Sequence, residues 1–441
     1  MWCDDAAEFG GSSRANTIRS LLSKRFGPQR GRRWANLLWR AGSAGLTSVL
    51  VAALIMPGAR AEVEVVPIPD ADPFYAAPAD LAANGNGAVL NSRPISILGL
   101  GLPVTGWQLQ YRSTDSSGAA VADVATVMTP PIPWLGGGGR PLLSYQVAED
   151  SLGTRCAPSF ALRGGRDFSI VNTALDIPFL TAMLLRGWAV VVSDYEGPQS
   201  RFFDGVNSGR GVLDGVRAAK SFAPVGITSD SPIGAWGYSG GAFATLWAMQ
   251  QRADYAPELW FSGAAAGGVP ADIAAIARRV DGGIQAGLAV LMIVTFARID
   301  PGSGLAEDLN DRGRELLVQE SSACGADLVL RHLNRHMDEY SDTPNLLWHP
   351  QFQAATERQE LGAVAPDVPL YMYHGNADDV IPVEGFSALA DRYCALGADI
   401  TVLHSGISGH NPAAAVESIG AMNFLGDRFA GIPAPAGCIA G

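Results

Sequence analysis

Trp236-Gly237-Tyr238-Ser239-Gly240-Gly241 is the stretch whose reading decides the fold. Before it runs the short apolar segment Pro232-Ile233-Gly234-Ala235, which reads as the end of a buried strand. After it comes Ala242-Phe243-Ala244-Thr245-Leu246-Trp247-Ala248-Met249, which reads as a helix. A serine in the frame G-x-S-x-G at a strand-to-helix junction is the pattern of a nucleophile elbow. Glycines are needed there because the turn is tight and the strand and helix nearly touch. Gly237 and Gly241 fill the frame, and Gly240 leaves room beside the serine. Such a serine needs a carboxylate and a histidine, and in this frame they follow it in the order acid, then base.

Working outward, the 441 residues are 48% hydrophobic and 17% charged, which suits a large globular chain with a sizeable core. The formal net charge is −12. Nine of the 31 basic residues but only three of the 43 acidic ones lie in residues 1–61, so the rest of the chain is more acidic still. That balance repels nucleic acid.

Residues 1–61 read as an export leader. Arg30, Arg32, Arg33 and Arg40 form a basic region, and Leu46 to Met56 is an apolar run of signal-peptide length. Ala59-Arg60-Ala61 supplies an A-x-A cleavage pattern. The expectation is secretion after removal of the leader near Ala61, by the general export route in preference to a twin-arginine one. The apolar run is too short for a comfortable membrane span. Of the five cysteines, Cys3 lies in the leader. Cys156, Cys324, Cys394 and Cys438 remain, an even number compatible with two bridges. None has C-x-x-C spacing.

Residues 62–105 read as loop. Gln108–Thr114 and Ala120–Met128 alternate at period two around Asp115-Ser116-Ser117-Gly118, the pattern of an antiparallel hairpin. Pro141–Val147 and Trp188–Asp194 read as buried strands, with a helix-like segment, Thr181 to Arg186, before the second. Trp260 to Gly268 reads as the strand and loop after the elbow helix. From about 272 to 360 the pattern turns helical and irregular, and strand signals resume at Pro369–His374 and Ile400–His404. A hairpin, then strands alternating with helices around the elbow, is the order of an α/β-hydrolase sheet. The expected division is leader 1–61, core 62–271, a helical lid or cap at 272–360, and core again at 361–441.

The acid is sought on the loop after the strand ending at His374, where Asp378 and Asp379 both qualify. Asp378 is preferred as the acid, and Asp379 as a cap for the helix starting near Pro382. For the base, His410 in Ser408-Gly409-His410-Asn411-Pro412 is preferred over His404, which reads as a packed or partly buried structural histidine at a strand end. His374 precedes the acid and reads as structural. The backbone N–H of Gly240 is one oxyanion donor by geometry, and the second is expected from Ala148-Glu149-Asp150-Ser151. His332 and His336 stand four apart on an expected helix with Glu339 nearby, but HExxH is absent. Gly136 to Gly139 lacks a strand–helix frame and reads as a flexible loop. No metal and no organic cofactor are expected.

With these residues in place, the chain resembles the secretory lipase family, the Candida antarctica lipase A-like α/β-hydrolases. The resemblance covers roughly residues 72–438. It is carried by Asp72–Tyr75, Gln108–Thr114, Ala122–Val127, Ser144–Asp150, Cys156–Ser159, Ser193–Gly197, Leu213–Ala218, the elbow Trp236–Ala242 and Tyr255–Leu259. It implies a serine hydrolase acting on lipid or small ester substrates, with Ser239 as nucleophile, Asp378 as acid and His410 as base. It also implies transient contact with a lipid interface and an oxyanion role for Asp150 beside the Gly240 amide. An aspartate can donate there only when protonated, so its pKa must be raised. The implied bridges are Cys156–Cys324 and Cys394–Cys438. There are departures: Ala148 stands where the family has an aromatic residue. The sequence ends three residues after Cys438, so the C-terminal flap of fungal members is expected to be missing.

Overall fold

Seven parallel strands meeting a three-stranded antiparallel front form one ten-stranded sheet in this computed structural model, in the order β1-β2-β3-β5-β4-β6-β7-β8-β9-β10. The structure describes residues 66, 68–97, 99–100, 102–165 and 171–440. The expected leader, with its cleavage point near Ala61, lies outside the described residues.

The front is β1 (Val89–Ile95), β2 (Thr105–Thr114) and β3 (Ala120–Thr129). The expected hairpin is β2–β3, in register from Thr105↔Thr129 to Thr114↔Ala120. Its turn is held by Asp115, whose Oδ1 accepts the Ser117 and Ala119 amides at 2.9 Å each. β1 corrects the reading of 62–105 as loop. It is an edge strand carrying Pro94 and polar Asn91, Ser92 and Arg93, a composition that hides a strand from periodicity and is tolerated only at an edge.

Behind the front lie β4 (Leu142–Gln146), β5 (Ala189–Ser193), β6 (Ile233–Tyr238), β7 (Phe261–Gly267), β8 (Leu370–Ala377), β9 (Ile400–Ser408) and the short β10 (Cys438–Ala440). β4 and β5 are buried along their whole length, as parallel strands covered on both faces must be. Their side chains alternate between two cores. Leu142, Ala189, Val191, Ile233 and Ala235 face one, and Leu143, Tyr145, Val190, Val192 and Trp236 the other.

In chain order, α1 (Pro158–Leu162), α2 (Val171–Leu185), α3 (Gly205–Ser221) and α4 (Gly240–Tyr255) precede β7. α3 and α4 cover the first core, while α2 and the last helix, α11 (His410–Phe429), cover the second. This is the α/β-hydrolase fold. Between β7 and β8 come α5 (Ile273–Val280), α6 (Gly287–Ile299), α7 (Asp311–Gln319), α8 (Gly325–Arg331) and α9 (Pro350–Glu357), and α10 (Val383–Ala395) follows β8. The apolar run from Leu288 to Phe296 is the body of α6, buried from Ala289 to Phe296. No helix among the described residues is long and apolar enough to cross a membrane.

Among the described residues, two bridges join distant parts. Cys156–Cys324 closes 168 residues and links the segment after β4 to the start of α8. Cys394–Cys438 ties the end of α10 to β10.

Candidate active site

Strand register decides which loops meet. Gln146 on β4 is level with Gly237 on β6, so the loop through Asp150 leaves the sheet beside Ser239. Ala377 on β8 is level with Ser408 on β9, so Asp378 and His410 leave it side by side. All four residues stand beyond the carboxyl ends of their strands, with Asp150 and Ser239 at β4 and β6, the neighbours between which the strand order reverses. That crevice is where open α/β sheets bind ligands.

Ser239 has φ 55° and ψ −127°, a backbone conformation sparsely populated by non-glycine residues. It stands just before α4, and its own amide donates to the Gly267 carbonyl at 2.9 Å. The neighbouring glycines are required by contact. A Cβ on Gly237 would strike the Gly241 carbonyl, and one on Gly241 would strike the Gln146 carbonyl. Both obstacles are backbone, so neither can move aside. The Gly240 amide opens α4, where the first helical N–H groups lack partners within the helix.

His410 Nδ1 donates to Asp378 Oδ2 at 2.7 Å. A carboxylate only accepts, so the proton is on Nδ1 and Nε2 is the acceptor. The ring is held further by Asp379, whose Oδ1 accepts the His410 amide at 2.8 Å. Tyr238 donates its hydroxyl to the His410 carbonyl at 2.8 Å and packs its ring 4.9 Å away. Asp378 Oδ1 accepts the Val380 and Ile381 amides at 2.9 and 2.8 Å. Burial pulls the Asp378 carboxyl up, but the His410 hydrogen bond and charge and the two amides outweigh it and hold its pKa below the usual 3.8.

The expectation that Asp379 caps the helix near Pro382 is therefore corrected. It caps α11, and Asp378 binds the amides before α10. His404 is likewise corrected: it is exposed on β9, in an edge-to-face arrangement with Phe386 at 5.3 Å between ring centres. His374 is fully buried, stacks 4.9 Å from Phe386, donates from Nε2 to the Ile381 carbonyl at 3.0 Å and lies 3.6 Å from Asp378 Oδ2. Burial lowers its pKa. It buttresses the acid, a contact that spacing alone does not reveal. His332 and His336 do not share a helix. His332 follows α8 and bonds Tyr340 and Glu320 at 3.1 and 3.0 Å, while His336 opens a separate turn beside Asp281.

Asp150 has φ 45° and hangs over Gly240, where an added Cβ would lie 2.6 Å from its Oδ1. Asn172 donates to Asp150 Oδ2 at 3.2 Å and to the Ala148 carbonyl at 3.1 Å. The Asp150 carbonyl accepts the Gly325 amide at 2.8 Å, next to the Cys156–Cys324 bridge. Burial lifts the Asp150 carboxyl to about 6, against the charge of His410 and the Asn172 hydrogen bond, which lower it. Nothing in the sequence pointed to Asn172.

Ser239, His410, Asn411, Asp150, Asn172 and Leu175 line two adjoining cavities of about 250 and 290 Å³. A larger cavity of about 440 Å³ lies elsewhere, around Asp72, Asp123 and Asp194, and touches none of these residues.

Comparisons with known proteins identify the family. Residues 162–437 match the family model described as secretory lipase. A probable inactive lipase of Mycobacterium tuberculosis is 37% identical over 83% of each chain. Lipase 4 of Candida albicans is 33% identical over 84% of this chain and 83% of its own. Among solved structures, Candida antarctica lipase A in its closed state superposes with a TM-score of 0.78 at 30% identity, over 86% of this chain and 90% of that one. A strained serine between strand and helix, a histidine–aspartate pair beside it, and these matches along most of the chain have one common reading: the chain belongs to the secretory lipase family.

Proposed function

We propose that the protein is an exported serine hydrolase that cleaves carboxylic esters of lipids or small molecules through an acyl-enzyme. Ser239 attacks the ester carbonyl while His410 Nε2 takes its proton. Asp378 holds the imidazole in that tautomer and stabilises the imidazolium. The Gly240 amide and the protonated Asp150 carboxyl carry the oxyanion. His410 then protonates the leaving alcohol, and water releases the acyl group. Helices between residues 272 and 360 act as the lid. Exposed Leu175 and Leu330, at the rim of the cavities, give a lipid interface something to touch. Export near Ala61 accords with two disulfides.

The single observation that supports this best is the 2.7 Å His410–Asp378 hydrogen bond on a ring that lines the same cavities as Ser239. A second reading, a non-catalytic lipid-binding member of the family, is favoured by the name of the Mycobacterium tuberculosis relative. An acyltransferase would use the same three residues with an alcohol in place of water. Treatment with a fluorophosphonate and mapping of the adduct separates the first two. Stoichiometric labelling on Ser239 supports the hydrolase, and no labelling of folded protein supports the binding module. Product analysis with competing alcohols separates hydrolase from transferase.

A further inference from the structure

The two cavities at Ser239 differ in the walls they do not share. One is completed by Gln285, Leu288, Val329 and Leu330, among others. The other is completed by Ala148, Asp176, Phe179, Tyr238, Ala414 and Ala415. Its chemistry follows from one face of α2. Asn172, Leu175, Asp176 and Phe179 recur at helical spacing and line this arm together. Phe179 also packs on the aromatic floor, 6.1 Å from Trp236. Asp176 therefore puts a carboxyl where the pattern calls for an apolar side chain, and neither lysine nor arginine lines the arm to pair with it.

Tyr145, itself buried, stands near enough to lower the pKa of this carboxyl. A phenol O–H can take only one of several acceptor positions of a carboxyl group, which leaves the rest available. Burial raises the Asp176 pKa to about 8, with the Asp150 charge adding to it and Tyr145 opposing. At neutral pH it thus offers an O–H donor and an acceptor together. A plain alkyl chain entering the arm would leave both unpaired, which costs binding free energy. A hydroxyl group, itself donor and acceptor, would satisfy both.

We propose that this arm is a subsite for a hydroxyl-bearing portion of the ester, with Asp176 as the specificity-determining residue that hydrogen-bonds the hydroxyl. The proposal rests on the ester-hydrolase reading and names the substrate class within it. At about 250 Å³ the arm is just below the usual range for small-molecule sites, so the portion it admits is compact.

Matched ester pairs test this with the purified protein. p-Nitrophenyl 3-hydroxybutyrate against p-nitrophenyl butyrate places the hydroxyl on the acyl side. 2-Hydroxyethyl butyrate against ethyl butyrate places it on the alcohol side. One pair should favour the hydroxylated ester in kcat/KM by about tenfold or more, the discrimination expected when a site has polar groups to satisfy. Asp176→Leu should abolish that preference and Asp176→Asn should retain most of it. Turnover of the plain esters with a ratio near one in both pairs overturns the inference and leaves the hydrolase reading standing. A preference that survives Asp176→Leu removes Asp176 from the role. Absence of turnover on every ester overturns both readings. If Asp176→Leu does not fold, the wild-type ratios decide.

Discussion

Asp150 can stabilise an oxyanion only as the neutral acid, and its burial near His410 and Asn172 sets its pKa at about 6. The donor is present below that value and lost as pH rises through it. Ester hydrolysis should therefore lose part of its kcat on going from pH 6 to pH 8. Asp150→Asn replaces the titrating donor with a permanent amide donor. It should lower kcat at pH 5.5, by about tenfold to a hundredfold for a displaced oxyanion contact. It should also flatten the decline between pH 6 and 8. A pH–kcat profile of the two proteins checks both expectations, and an identical alkaline decline in the variant would remove Asp150 from the oxyanion site.

Elements position these residues more than loops do. Asp150 is stapled to the start of α8 by the Gly325 amide, by Leu152 N donating to the Ala323 carbonyl, and by the Cys156–Cys324 bridge beside them. Opening this bridge with Cys156→Ser/Cys324→Ser should cost about 2–5 kcal/mol of stability and lower kcat. Cys394→Ser/Cys438→Ser frees only the end of α10 and β10, so it should lower Tm with little change in kcat. Thermal melts and p-nitrophenyl butyrate kinetics of both variants decide the matter. A kcat loss confined to the second would contradict this account of the oxyanion loop.

This is also the scale at which the sequence was most legible. The elbow, the hairpin and the buried parallel strands carry their patterns locally, in glycine frames and in runs such as Ala189–Ser193. β1 and β10 were hidden because edge strands need only half a ladder and tolerate Pro94 or a three-residue length. The partners of Asp379 and His374 were missed for a different reason. Each depends on a neighbour brought by register, Asp379 on the His410 amide and His374 on Asp378, and no spacing within one segment encodes it. Asn172 and Asp176 were invisible for the same cause: their meaning comes from the cavity that α2 faces.

At the scale of the whole molecule, several carboxyls among the described residues are buried or half-buried under the sheet and around the site. Burial raises Asp123, Glu149, Glu196 and Asp214 above their ordinary values, and carries Asp150 to about 6, Asp194 to about 7 and Asp176 to about 8. For each, the folded chain holds a proton that the unfolded chain releases near pH 4. Their contribution is complete below that pH and is lost as pH rises through the folded values. Asp72, lowered to about 2 chiefly by Arg93 and Arg163 against burial, and Asp115 and Asp378, also lowered, act in the opposite sense, losing stability as pH falls below about 4. Tm should therefore peak near pH 4–5 and fall by several degrees by pH 8, on the acid side of the common optimum of about 5–8. A Tm series from pH 3 to 9 checks this, and a maximum at pH 8 would contradict it.

The central claim is that Ser239 is the nucleophile of an active ester hydrolase, although one relative of similar length is named as inactive. Side-by-side hydrolysis of p-nitrophenyl butyrate by the wild-type protein and Ser239→Ala, with Tm recorded for both, tests it most directly. The account predicts turnover by the wild type and a loss of at least about a thousandfold in the variant at an unchanged or slightly altered Tm. An inactive, fully folded wild type, or a variant that keeps more than a few per cent of the activity, would contradict it.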